Sequence, residues 1–128
     1  MNKDFNKRDE ILFGVYNKDA YRFGGIRHFE NLDADTLKQL LDEGFIDPEE
    51  VQNDSPTTME FYEFIRTHPS FTAHGYAVSP DRDDYRITLE GIECRELCDD
   101  ETMRNFIELC RFADELSVND KYMYAWWD

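Results

Sequence analysis

The chain has 128 residues, 15% of them aromatic, and carries 14 Lys/Arg against 29 Asp/Glu for a net charge of −15. Ten Phe, seven Tyr and two Trp exclude a disordered chain, and the length predicts one domain with a real core. The charge opposes binding to nucleic acid phosphates and to anionic membranes, and no apolar run approaches the length of a bilayer span.

Residues 1–27 are mildly basic, and the excess of acid begins at residue 28. The N-terminal stretch has no signal-peptide pattern, which predicts a cytoplasmic protein. Residues 5–29 read two ways. Ile11, Leu12 and Val15 form one face of a short helix, or else a strand that turns at Asn17-Lys18-Asp19 and pairs with Tyr21-Arg22-Phe23. The aromatic content leans towards the strand, and Gly24-Gly25 ends either one.

Asp33 to Glu43 is a helix, with Asp33 as its cap, a stripe of Leu37, Leu40 and Leu41, and Gly44 as a left-handed stop. Asp47-Pro48-Glu49-Glu50 reads as a second short helical start. Ser55 to Thr67 is the next helix, capped at Ser55 or Thr57 and ended by His68-Pro69.

Phe71–Val78 and Tyr85–Leu89 are two strands joined by Ser79–Asp84, a polar loop containing Pro80 that projects beyond a tight turn. Asp100 to Leu116 is the longest helix, with Met103, Phe106, Ile107, Cys110 and Ala113 at helical spacing. The tail from Lys121 to Asp128 is too aromatic for a loose end and either docks as a strand or forms an interface.

Chemistry-bearing residues are sparse. His28, His68 and His74 lack metal-ligand spacing, and Cys94, Cys98 and Cys110 read as thiols in a reducing compartment. On a helix Cys94 and Cys98 would share a face, yet there is no second pair to complete a metal site. No nucleophile elbow, phosphate loop or calcium loop is present. Paired acids such as Asp83-Asp84 and Asp99-Asp100 read as solvated surface.

The order helix, helix, hairpin, helix, together with Ile87-Thr88-Leu89-Glu90-Gly91 closing the second strand, resembles a winged-helix arrangement. That resemblance implies Ser55–Thr67 as a recognition helix and Ser79–Asp84 as the wing. DNA readers present basic side chains, whereas this helix carries Glu60 and Glu63 against Arg66.

The expected fold is therefore a single α+β domain over residues 1–128. About three helices pack on a small antiparallel sheet centred on the 71–90 hairpin, loosely winged-helix-like. The expected function is a non-catalytic interaction or regulatory module for a protein partner, with basic chemistry favoured by the charge. Candidate contact residues are Asp81, Arg82 and Asp83 in the loop and Tyr122, Tyr124, Trp126 and Trp127 in the tail. The first alternative is a small enzyme or ligand binder using His74 with nearby carboxylates, and the second is a winged-helix-type regulator. No cofactor, metal, nucleic acid or membrane is assigned, and monomer and homodimer stay open.

Overall fold

The computed structural model describes residues 1–128. Four α-helices accompany one five-stranded antiparallel sheet. In chain order the elements are α1 (Phe5–Phe13), a 3-10 turn (Lys18–Tyr21), β1 (Ile26–Leu32), α2 (Ala34–Asp42), α3 (Thr58–Thr67), β2 (Phe71–Val78), β3 (Ile87–Cys94), α4 (Asp100–Leu109), β4 (Glu115–Asn119) and β5 (Tyr122–Trp126). The sheet order is β1-β2-β3-β5-β4. The α+β class and the central hairpin match the expectation. β1 lies beyond β2 and β5 beyond β3, so the hairpin is the middle of a sheet rather than a free wing.

Local chemistry sets the helix ends. Asp33 accepts from the Thr36 amide at 2.8 Å, and Thr57 and Glu60 form a reciprocal capping box, a device worth about 1 kcal/mol. Asp99 caps α4 through the Thr102 amide. Gly44 follows α2 at φ 77°, the left-handed geometry expected of it.

Four expectations need correction. Residues 5–13 are helix, not strand: Asp4 caps them, Gly14 stops them at φ 82°, and Arg8 and Asp9 on their inner face are fully buried. Asp47-Pro48-Glu49-Glu50 is a turn without a helix. The second hairpin strand is Ile87–Cys94, shifted towards the C-terminus because β5 supplies the pairing partner for Gly91–Cys94. The last helix ends at Leu109, and Glu115–Asn119 is an edge strand on β5.

All the helices contribute to a core on one side of the sheet. Leu37, Leu40, Phe61, Ile65 and Phe106 meet Phe71, Ala73, Ile87, Ile92, Met123 and Ala125 there. Phe71 stacks on Phe106 with centroids 5.3 Å apart, and Phe64 meets Phe71 edge-on at 5.0 Å. A charged cluster anchors α1 in this otherwise apolar packing. The Arg8 guanidinium donates to Asp9 at 2.8 Å, to the Val78 carbonyl at 3.0 Å and to the Tyr21 hydroxyl at 3.0 Å, and it lies 4.5 Å from the Tyr85 ring centroid. Tyr21 in turn donates to Asp9, so every charge in the cluster is satisfied.

Candidate functional site

Side chains on a strand alternate faces, so a sheet covered by helices on one side leaves its other set outward. In β2 the buried residues Phe71, Ala73 and Ala77 alternate with Thr72, His74 and Tyr76. In β5, Met123 and Ala125 are buried, while Tyr122, Tyr124 and Trp126 point the other way. Register brings these sets together: His28 opposes Tyr76, His74 opposes Gly91, Gly91 opposes Trp126, and Glu93 opposes Tyr124. The pairing between β2 and β3 shifts between His74 and Gly75, a bulge that bends the sheet at this point.

The outcome is an open hollow of about 500 Å³ on the uncovered face, lined by His28, Glu30, His74, Glu90, Glu93, Arg95, Tyr122 and Tyr124 together with Phe29 and Gly75. The floor is aromatic. His74 and Tyr124 lie parallel with centroids 5.4 Å apart, and Tyr124 and Tyr122 continue the row at 6.3 Å. The His74 ring rests on Gly91, where a Cβ would come within 2.3 Å of it. Its Nε2 is enclosed there and makes no hydrogen bond.

The rim is acidic. Glu30, Glu90 and Glu93 line the hollow together with a single guanidinium, that of Arg95. Glu93 is only 7% exposed, and its one ion-pair partner is Arg95 at 3.5 Å. The His28 imidazole lies 3.6 Å from the Glu90 carboxylate. Burial holds the His74 pKa below the ordinary histidine value, with Glu93 and Glu30 pulling the other way. Burial also raises the Glu90 carboxyl, opposed by His28 and Trp126. Tyr122 and Tyr124 are pushed up, first by burial and then by the surrounding carboxylates.

The sequence candidates separate into three places. His74, Tyr122 and Tyr124 meet in the hollow, and Trp126 shares its face. Trp127 is a correction. It is 1% exposed and meets Phe61 edge-on at 5.6 Å in the core, because the next residue along a strand points to the opposite face. Asp81, Arg82 and Asp83 are exposed but line no part of the hollow.

Their loop is not a free finger either. Arg82 donates to the Gly24 carbonyl at 2.9 Å and forks onto Asp84 at 2.8 and 2.7 Å, while the Ser79 amide donates to the Gly25 carbonyl at 2.8 Å. The sequence reading missed Glu30, Glu90 and Glu93. The alternation His28-x-Glu30 was a signal for the first, hidden because β1 was not recognised as a strand; Glu90 and Glu93, three apart, share the hollow only through the irregular pairing of β2 with β3 beside Glu90.

Cys94 ends β3 and Cys98 lies in the following loop, so the helix expected to align them is absent; their Sγ atoms are nevertheless 3.6 Å apart. All three cysteines are free thiols, and burial pushes Cys98 up to about 11 and Cys110 up to about 12. No group of three or more His, Cys, Asp and Glu side chains is placed to hold a metal ion, and no helix is long and apolar enough to cross a membrane.

The chain matches no family model, no curated protein and no solved structure.

Proposed function

We propose that this protein is a non-catalytic, cytoplasmic interaction module whose uncovered sheet face docks a basic protein partner. The observation that carries this reading is the coincidence of half-buried aromatics and carboxylates on one uncovered face, with the core sealed behind the other. Large aromatic surfaces with polar tips suit a protein interface, and a carboxylate rim within a chain of net charge −15 accelerates encounter with a cationic partner.

The test compares immobilised wild type with a Glu30→Arg/Ser117→Arg variant, at low and at moderate salt. Both positions are exposed, and Ser117 pairs with Tyr124 in the sheet. The expected result is a basic protein retained by wild type, weakened by salt and lost from the variant. Retention at neither salt, or retention indifferent to the substitutions, overturns the reading.

A second reading, a small ligand binder or enzyme using His74, is favoured by one observation. His74 is half-buried in a concave site that is also lined by a carboxyl whose pKa is raised, that of Glu90. Against a general-base role, its Nε2 is closed off against Gly91. A winged-helix DNA reader finds less support. The outward side of α3 presents Glu60 and Glu63, with Arg66 paired to Glu63 at 2.7 Å.

A further inference from the structure

Resting on the docking reading, we propose that the hollow between β1, β2, β3 and β5 is a receptor for one guanidinium group, the side chain of an arginine on the partner.

Glu93 lines the hollow at 7% exposure, and its one ion-pair partner, Arg95, lies 3.5 Å away on a side chain that is itself 74% exposed. The Tyr122 hydroxyl is its other polar neighbour. An ion pair so open to water is weak, and a carboxylate has acceptor sites beyond those two partners for a cation entering the hollow.

The His74, Tyr124 and Tyr122 rings stack parallel in one row, with interplanar angles of 6° and 12°. A guanidinium is planar, extends a row of parallel rings by stacking on one of them and forks onto carboxylates, whereas an ammonium is a compact, strongly hydrated point charge that does neither as well.

The charge inside the site also suits a cation. Burial favours the neutral form of His74, so the imidazole on the floor does not repel a cation. The carboxylates project from two different strands, Glu30 from β1 and Glu90 and Glu93 from β3. A planar donor group with several N–H bonds can engage carboxylates from both sides at once, which a single-point donor cannot.

The experiment uses the purified full chain and three probes: Nα-acetyl-arginine amide, Nα-acetyl-lysine amide and Nα-acetyl-citrulline amide, the last an uncharged near-isostere of the first. Binding is followed by NMR through the ring resonances of His74, Tyr122 and Tyr124. The arginine probe is expected to shift all three, the lysine probe to bind about fivefold more weakly, and the citrulline probe to leave them unmoved. Glu93→Gln is expected to weaken the arginine probe about tenfold, the scale of one charge-assisted hydrogen bond.

Glu30→Gln, at an exposed strand position that tolerates change, is the second variant should Glu93→Gln fail to fold. Asp81→Asn/Asp83→Asn removes two charges outside the hollow and is expected to change nothing. The proposal is overturned if citrulline binds as well as arginine, or if the loop variant weakens binding as much as the hollow variants. If the arginine probe does not bind while a basic protein is still retained in a Ser117-dependent way, the docking face stands and the guanidinium receptor falls. If the probe binds and no protein is retained, the receptor stands and the docking reading falls.

Discussion

The imidazole of His74 and the phenol of Tyr124 lie parallel, 6° apart in plane and 5.4 Å between centroids, although 50 residues separate them in the chain. The two strands that carry them are not neighbours: β3 lies between, and it presents Gly91 at the point where His74 crosses. A side chain at that position would lift the ring away. The floor of the hollow therefore depends on one residue having no side chain at all.

Gly91→Ala is accordingly expected to destabilise the fold by about 1–3 kcal/mol, the usual cost of overpacking. The new Cβ would meet the His74 ring at 2.3 Å and the Ala125 carbonyl oxygen at 2.4 Å. The ring can turn aside, but the carbonyl belongs to the β3–β5 ladder. Adding His74→Ala to the variant should therefore recover only part of the loss, as read by urea denaturation.

His74 also sets a pH dependence with a definite sign. Its folded pKa is lowered by burial from the ordinary value of 6.5, so just below that value the unfolded chain takes up a proton that the folded chain refuses. The stability from this group is full above 6.5 and declines as pH falls through the folded value. Glu90 acts in the opposite sense. Its raised pKa contributes stability present below the ordinary 4.5 and lost as pH rises through the folded value. His74→Gln is expected to remove the first dependence alone. The stability difference between wild type and variant should shrink as pH falls below 6.5 in denaturation curves; a constant or growing difference contradicts the assignment.

The Arg8–Asp9 pair is fully buried on both sides. Removing either partner strands the other charge in the core. Arg8→Met or Asp9→Leu is expected to cost about 3–5 kcal/mol each, and the double variant less than the sum of the two. A double-mutant cycle by chemical denaturation measures the difference. Additive losses would mean that the two charges do not compensate one another.

Trp126 and Trp127 are adjacent in sequence and opposite in role. Trp127→Ala empties a core position against Phe61 and is expected to cost about 3–5 kcal/mol. Trp126→Ala lies on the uncovered face and should cost far less stability while weakening retention of a partner. Thermal unfolding and the retention assay on the same two variants separate the roles.

The sequence by itself determined the class and much of the local structure. Asp33, Thr57 and Asp99 mark helix starts because a short oxygen-bearing side chain is what an open first turn needs. Phe71–Val78 was legible because small and aromatic residues ran unbroken between Pro69 and Pro80. Aromatic content required a core.

What only the tertiary structure decided was which residues share a face. Strand pairing is non-local. The end of β3 acquires its identity from β5, some thirty residues later, and β1 acquires its own from the edge of β2. Residues 5–13 are bounded locally by the Asp4 cap and the Gly14 stop, and Arg8 and Asp9 anchor that helix through buried partners in Tyr21 and Val78, contacts no local pattern displays. The hollow follows from the same cause. Glu30, His74, Glu93 and Tyr124 lie on four different strands, and only the register of the sheet, with a bulge at His74 and a glycine beneath it, brings them to one site.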